Sequence, residues 1–374
     1  MKFSPQQDGA LSAVNTWMVS GADPVFRLFG YAGTGKTTLA RHIAEGVEGE
    51  VLFGAFTGKA AQVLREKGAD NARTIHSMIY RPKVRDDDED DDEAEAKGDS
   101  LEFTLNRASP VGKARLIVID ECSMVDEALG RDLLSFGTPI LVLGDPGQLP
   151  PVSGGGFFTD AEPDVLLTEI HRQAADNPIV RMASAVRAGE RLEPGEYGSS
   201  RVISKRELST DMVQASDQVL VGINRTRARY NARLRELAGF EGAEPVAGDR
   251  LVCLRNNAKK GLLNGSLWDV THAAAPKGPA MTLLVKSADE TAKGTIKAKV
   301  LRDAFTGAAG DIPWRVQRNY DAFDYGYALT VHKAQGSQWD DVVLFDESFA
   351  FKEHRERWLY TAITRAAERV TVVR

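Results

Sequence analysis

A glycine-rich segment at residues 30–37 contains the residue types that bind phosphate groups. It runs Gly-Tyr-Ala-Gly-Thr-Gly-Lys-Thr, and its glycines can turn the backbone tightly and point successive N–H groups inward. The Lys36 cation can reach the β- and γ-phosphates of a nucleoside triphosphate, and the Thr37 hydroxyl can ligate Mg²⁺. The expected nucleotide contacts in this region are Gly33, Thr34, Gly35, Lys36, Thr37 and Thr38. The segment predicts a nucleoside triphosphate site with Mg²⁺; the alternative is a structural glycine turn.

The elements on both sides of this segment fit that prediction. The apolar run 25–29 before it predicts a strand, and the spacing of residues 38–44 after it predicts a helix. A strand, a glycine loop and a helix in this order form the context of a phosphate-binding loop. The positively polarised N-terminus of the helix would add to the binding of a polyanion.

Two further apolar runs, 116–119 and 140–143, end in polar residues. Such runs are typical of strands inside a parallel sheet, whose carboxyl ends carry the chemistry of α/β proteins. Asp120 can hold Mg²⁺ through water, and Glu121 can orient or deprotonate an attacking water. Gln148, after the second run, is a candidate sensor of the γ-phosphate. The alternative for its segment is a Gly- and Pro-rich turn with incidental polar residues.

The residues near the N-terminus predict a helix. Ser4 is the expected N-cap, Pro5 the first helical residue, and Gln7 the partner that completes a capping box. The Gln7 amide also carries a donor and an acceptor that could contact the edge of an adenine base. From these residues alone, both roles of Gln7 stay open.

Length and composition predict a globular chain of two or three domains, since the 374 residues are 43% hydrophobic and 27% charged. No apolar run approaches the ~20 residues that span a bilayer, and the first residues lack the apolar core of a signal peptide. Cys122 and Cys253 are too few and too far apart for a zinc site or a disulfide framework. We expect a cytoplasmic protein that does not act at a membrane.

The charge of the chain is unevenly distributed. Residues 86–93 are all Asp or Glu, and without these eight charges the net charge changes from −6 to +2. Such a run repels itself and is expected to be solvated. The overall acidity is therefore weak evidence against a nucleic-acid partner. The run could gate access to DNA, bind a basic protein partner, or remain in solvent.

Three segments, 30–37, 120–124 and 144–152, together resemble the nucleotide motifs of superfamily 1 helicases. In particular they are similar to the RecD-like and phage Dda-like branch, superfamily 1B, which moves 5′ to 3′. The resemblance covers nearly the whole chain, and Gln7 matches the Q motif of the family, which favours the adenine contact. It implies an ATP-dependent DNA helicase that translocates on single-stranded DNA and unwinds duplex DNA, in a bacterial cell or a phage-infected host.

Segments in the second half of the chain extend the resemblance. Residues 167–173 look like the segment that supplies one arginine finger, Arg172, and residues 358–366 match the motif that supplies a second, Arg365. Either arginine could instead be a surface or ion-pair residue. Residues 328–337 match a motif that implies a nucleotide contact by Gly336. The residues that the resemblance implies as contacts to the DNA strand are Thr57, Lys59, His76, Asn224, Thr330, His332 and Lys333. A structural role for the two histidines is the alternative.

The fold class that we expect is α/β, with two RecA-like parallel-sheet motor domains. The first would span 1–153, with a hairpin insertion carrying the acidic loop at about 81–112, or a disordered insertion there. The second would comprise 154–245 and 321–374. The short-strand pattern of 246–320 predicts an inserted β-barrel. It resembles the SH3-like insertion of the RecD-like helicases, with a purely structural insert as the alternative.

Phe103, on the predicted hairpin, is a candidate wedge residue that stacks on the base pair at a junction of single- and double-stranded DNA. We expect a monomer that binds ATP, Mg²⁺, single-stranded DNA and such junctions. Two other classes of function remain possible from the sequence. One is a DNA-stimulated translocase that does not separate strands, and the other is a P-loop enzyme such as a small-molecule kinase.

Overall fold

The computed structural model describes residues 3–82, 103–150, 156–170, 176–276, 278–288, 292, 294–306 and 313–374. Its strands, in chain order, are β1 (Val25–Gly30), β2 (Val51–Ala55), β3 (Arg73–Thr74), β4 (Tyr80–Pro82), β5 (Phe103–Leu105), β6 (Leu116–Asp120), β7 (Ile140–Gly144), β8 (Val165–Leu167), β9 (Gly195–Tyr197), β10 (Ser200–Ile203), β11 (Gln218–Val221), β12 (Arg250–Cys253), β13 (Leu267–Ala273), β14 (Ala280–Ser287), β15 (Thr295–Leu301), β16 (Phe323–Tyr325), β17 (Ala328–Thr330), β18 (Trp339–Phe345) and β19 (Ala366–Val373). Its α-helices are α1 (Pro5–Ser20), α2 (Lys36–Gly46), α3 (Gly58–Glu66), α4 (Ile75–Ile79), α5 (Glu127–Leu134), α6 (Pro178–Arg187), α7 (Thr210–Ala215), α8 (Asn224–Leu237), α9 (Asp303–Thr306), α10 (Trp314–Gln317) and α11 (Arg355–Ile363).

The first sheet consists of six parallel strands in the order β3-β2-β6-β7-β1-β8. Its central strand β6 shows why the sequence there is continuously apolar. Leu116 and Val118 pack on one face with α1, α2 and α3, whereas Ile117 and Ile119 pack on the other with α4 and α5. Because successive side chains of a strand point to opposite faces, a sheet covered by helices on both faces needs apolar residues throughout.

The second sheet has the order β17-β11-β18-β19-β10-β9, and its pairs are parallel except β9 with β10. Its main core contains residues of α6 and α11, including the fully buried Trp358. A smaller core on α8 includes Leu234. The coarse prediction of an α/β fold with two parallel sheets is confirmed.

A third, five-stranded antiparallel sheet, β15-β14-β13-β12-β16, is inserted in the sequence of the second. It encloses its own apolar core, in which Trp268 is fully buried. The strands β4 and β5 form a separate two-stranded antiparallel sheet. The residues between these two strands, with the acidic run 86–93, lie outside the described residues.

Two predicted boundaries are wrong. β8 pairs with β1, so the first sheet continues beyond residue 153, and β16 pairs with β12, so the inserted sheet continues beyond residue 320. Both strands have three residues, too few to give a periodic pattern in the sequence. Val111, at the end of the insertion predicted at about 81–112, is buried in the core of the first sheet. The alternative that all of 81–112 is disordered is therefore wrong as well.

Within the described part of the chain, none of the helices combines the length and the apolar character that a membrane span requires.

Candidate active site between the two parallel sheets

The loop after β1 has the conformation that a phosphate-binding turn requires. Gly33 and Gly35 have φ angles of 80° and 81°, in the left-handed region that other residues rarely adopt. The Lys36 ammonium donates hydrogen bonds to the carbonyls of Gly30 (2.6 Å) and Tyr31 (3.1 Å). The lysine is thus held over the loop, and α2 begins at this residue, with Thr38 exposed on its first turn.

Gln7 connects the first helix to this loop. The predicted capping box is confirmed: the Gln7 amide oxygen accepts the N–H of Ser4, whose hydroxyl accepts the N–H of Gln7. The amide nitrogen of Gln7 donates to the carbonyl of Thr34 (3.0 Å), and Thr34 is itself buried. The adjacent Gln6, which the sequence did not single out, bonds the end of β8: its amide donates to Leu166 O and accepts the N–H groups of Thr168 and Glu169.

Two oxygen ligands for a divalent cation lie together at the first sheet. The Thr37 hydroxyl donates to a carboxylate oxygen of Asp120 over 3.2 Å. Mg²⁺ is usually bound by one or two protein oxygens together with waters and substrate phosphates, and this pair fits such a site. Groups of three or more His, Cys, Asp or Glu that could form an all-protein cage are absent among the described residues.

Glu121 follows with a φ of 52°, which is uncommon for a residue with a side chain. Burial raises the pKa of Glu121, while the guanidinium of Arg365, 4.0 Å away, acts in the opposite direction. A carboxylate whose pKa moves towards neutrality is better matched to accepting a proton from water.

Arg365 reaches this carboxylate from the second sheet. It follows α11, is 6% exposed, and donates to the carbonyls of Thr361 (3.1 Å) and Ser337 (3.3 Å). A cavity of about 230 Å³ lies between the two sheets and is lined by residues of both, including Lys36, Thr37, Asp120, Glu121, Gln148, Gly336 and Arg365. Gln148 brings a buried amide oxygen without a hydrogen-bond partner among the described atoms. Arg172, the other predicted finger, lies outside the described residues.

Several contacts across this cleft were not found from the sequence. The Tyr360 hydroxyl bonds Ala32 and Asp145, and the Thr361 hydroxyl accepts the N–H of Leu149 over 2.9 Å. The Arg187 guanidinium stacks over the Tyr31 ring at 3.5 Å. These partners are far apart in the chain, so no local spacing could have indicated them.

The residues predicted to contact a DNA strand lie at or directly after the carboxyl ends of β-strands in both sheets. Thr57 caps α3 after β2, and Asn224 is the exposed first residue of α8 after β11. Thr330 ends β17 and is buried, with the half-buried His332 and the exposed Lys333 directly after it; Lys59 lies on the first turn of α3. A Cβ at Gly336 would lie 3.0 Å from the Thr57 hydroxyl, so the segments from the two sheets meet there.

His76 and Phe103 form an aromatic group with Tyr80. The His76 ring lies 4.6 Å from Tyr80 and 4.5 Å from Phe103, edge to face with the latter. Burial lowers the pKa of His76, so the imidazole is neutral at pH 7 and contributes a ring rather than a charge. Phe103 is 43% exposed. Exposed Phe56 and Phe349, which the sequence did not single out, are further aromatic surfaces.

Two family models match the segments of the chain that form the two parallel sheets. Residues 3–204 match the family model of an AAA domain, and residues 325–373 match that of a UvrD-like helicase C-terminal domain. The ATP-dependent RecD2 DNA helicase of Deinococcus radiodurans is 30% identical over 91% of this chain and 46% of its own length. The ATP-dependent DNA helicase dda of Enterobacteria phage T4 is 31% identical over 51% of this chain and 44% of its own. This chain thus spans less than half of either relative.

Among solved structures, the Pif1 helicase from Candida albicans has a similar fold, with a TM-score of 0.56. The two chains are 18% identical, and the match covers 100% of this chain and 94% of the other.

Proposed function

The chain belongs to the AAA-domain family and, with its RecD-like and Dda-like relatives, to the superfamily 1B helicases. We therefore propose that it is an ATP-dependent DNA helicase. The observation that supports this most directly is the cleft. Lys36, Asp120 and Glu121 of the first sheet face Arg365 of the second across a cavity of about 230 Å³. A site divided between two domains couples nucleotide binding to domain movement.

The chemistry follows from the residues around this cavity. The loop N–H groups and Lys36 bind the β- and γ-phosphates, and Glu121 orients and deprotonates the attacking water. Mg²⁺ at Thr37 and Asp120 would neutralise charge on the phosphate oxygens. Arg365 stabilises the charge that develops on the transferring phosphoryl group, and the unpartnered amide oxygen of Gln148 accepts a hydrogen bond from that water. Arg172 is proposed as a second finger.

Further nucleotide contacts are proposed for residues around the phosphates and the base. Gln7 contacts the edge of the adenine base. Its amide can form hydrogen bonds in addition to those with Ser4 and Thr34, and these additional bonds would be made to the base. The other proposed nucleotide contacts are Gly33, Thr34, Gly35, Thr38 and Gly336.

The DNA strand would cross the carboxyl edges of both parallel sheets. Thr57, Lys59 and His76 contact it from the first domain, and Asn224, Thr330, His332 and Lys333 contact it from the second. Burial lowers the pKa of His332 as well, so both histidines would meet the strand as neutral rings. Contacts of this kind give binding with little sequence preference and a strong dependence on salt. Alternate grip by the two domains during the ATP cycle would move the protein 5′ to 3′.

The insertions are assigned finer roles in this proposal. The antiparallel sheet β15-β14-β13-β12-β16 acts as an SH3-like insertion beside the strand, and the paired strands β4 and β5 carry Phe103 to the duplex junction. The protein acts as a cytoplasmic monomer. The acidic run 86–93 gates DNA access, binds a basic protein partner or remains in solvent.

The test is unwinding of duplexes with a 5′ or a 3′ single-stranded tail, with ATPase measured in parallel. We expect ATP-dependent unwinding of the 5′-tailed duplex alone, stimulation of ATPase by single-stranded DNA, and loss of both in Lys36→Ala. Stimulation without strand separation would favour a translocase. ATPase indifferent to DNA would overturn the proposal and favour another P-loop enzyme.

A further inference from the structure

Tyr360 contacts two segments of the first domain although it belongs to the second. It lies on α11 and is almost fully buried. Its hydroxyl accepts a hydrogen bond from the N–H of Ala32, in the nucleotide loop, over 2.8 Å. It donates another to the Asp145 carboxylate over 2.7 Å. Burial raises the pKa of Tyr360, so the phenol stays protonated and remains a donor.

The turn that contains Asp145 is packed tightly around this ring. The other carboxylate oxygen of Asp145 accepts the N–H of Gly147 over 2.9 Å. A Cβ at Gly147 would lie 3.1 Å from a ring carbon of Tyr360, closer than Cβ atoms usually pack, so glycine favours this approach. Gln148, the candidate γ-phosphate sensor, follows directly. Tyr360 therefore joins the nucleotide loop and the Gln148 segment through a single hydroxyl group.

The same helix end brings other groups to the cleft. Thr361 accepts the N–H of Leu149, and Arg365 lies 4.0 Å from Glu121. All these contacts join the two domains across the cleft. Of the three side chains, Tyr360 is the one that touches the nucleotide loop.

We infer that Tyr360 is a positioning residue that fixes the nucleotide loop against the Gln148 segment when the cleft closes. The inference rests on the proposed function, which it deepens. Tyr360 acts through Ala32 and Asp145 rather than on the nucleotide. When the cleft opens, the Ala32 N–H and the Asp145 carboxylate lose their shared partner together. Nucleotide affinity is thereby tied to closure of the cleft.

The test is Tyr360→Phe, which keeps the ring and removes both hydrogen bonds. Tyr327→Phe is the matched control, because the Tyr327 hydroxyl donates to Asp249 over 2.8 Å entirely on the side of the second domain. Two quantities are measured for both variants. One is the affinity for a fluorescent non-hydrolysable ATP analogue with Mg²⁺, and the other is the ATPase kcat with saturating single-stranded DNA. We expect about tenfold losses of each in Tyr360→Phe, since buried partners are left unpaired, and changes under about twofold in Tyr327→Phe.

A second pair of variants separates positioning from general destabilisation. Asp145→Asn keeps the side-chain volume but cannot accept both of its hydrogen bonds, so it should weaken analogue affinity as well. The double variant Asp145→Asn/Tyr360→Phe should bind the analogue at least as tightly as the single variant that has the lower affinity. Analogue affinity within twofold of the wild type in Tyr360→Phe, or an equal loss in Tyr327→Phe, would overturn the inference. A wild type without DNA-stimulated ATPase would refute the helicase proposal, while analogue affinity still decides the role of Tyr360.

Discussion

Replacement of Gly336 by alanine tests whether the meeting of the two domains at α3 controls activity. Gly336 has a φ of 77°, and an added Cβ would lie 3.0 Å from both the Ala60 Cβ and the Thr57 hydroxyl. Neither neighbour can turn aside. Ala60 has no rotamer to change, and the Thr57 hydroxyl accepts the N–H of Ala60 over 3.1 Å as the helix cap. The added methyl must therefore push α3 and the Gly336 segment apart.

The magnitude has two parts that a control can separate. A left-handed backbone conformation costs an L-residue about 1–2 kcal/mol. Overpacking by one methyl group adds about 1–3 kcal/mol when backbone must shift. Gly239 has a φ of 81° and no heavy atom within 4 Å of an added Cβ. Gly239→Ala therefore carries the backbone strain alone, and the additional loss of unfolding free energy in Gly336→Ala belongs to the contact between domains.

The assays are urea unfolding and ATPase at saturating single-stranded DNA. We expect Gly239→Ala to lose about 1–2 kcal/mol of unfolding free energy with unchanged ATPase. Gly336→Ala should lose more unfolding free energy than Gly239→Ala. Its DNA-stimulated ATPase should fall about 5- to 150-fold, because a cost of about 1–3 kcal/mol on cleft closure corresponds to that factor. Equal unfolding free energies in the two variants, with full ATPase in Gly336→Ala, would refute the reasoning.

Three further predictions follow from other features. Because burial raises the pKa of Glu121, ATPase activity should fall on the acid side with a midpoint above about 4.3, the ordinary glutamate value; a kcat–pH profile with a midpoint at or below it would contradict this. Asp249→Ala, which leaves the buried Arg235 without its 2.7 Å carboxylate partner, should lower the unfolding free energy by about 3–5 kcal/mol in urea titrations, whereas Glu236→Ala in an exposed pair should change it by less than about 1 kcal/mol. Phe103→Ala should reduce unwinding of a tailed duplex while leaving DNA-stimulated ATPase intact, and equal loss of both would exclude a wedge role.

The parts of the fold that the sequence predicted are those with strong local patterns. The continuous apolar runs around Ile117 and Leu141 gave the central strands, and the fixed spacing of 30–37 gave the nucleotide loop. The three-residue strands β8 and β16 have no such pattern, and their pairing with distant strands decides their place. The domain boundaries were wrong for this reason.

The candidate site divides in the same way. Lys36, Asp120 and Glu121 each follow an apolar strand, so topology alone predicted that they share one sheet edge. The contact of Tyr360 with Ala32 joins residues 328 positions apart, and it depends on how two separately folded domains approach each other. Residue type and spacing contain no information on that approach. The roles of the predicted strand contacts remain predictions.

The contact of Gln6 with the end of β8 has a consequence for self-association. β8 is an outer strand of the first sheet, and its free side would expose backbone groups that another chain could pair with. The Gln6 amide donates to Leu166 O and accepts the N–H groups of Thr168 and Glu169, much as a neighbouring strand would. One side chain thus protects an edge that could otherwise seed aggregation, and it does so where the chain leaves the first sheet.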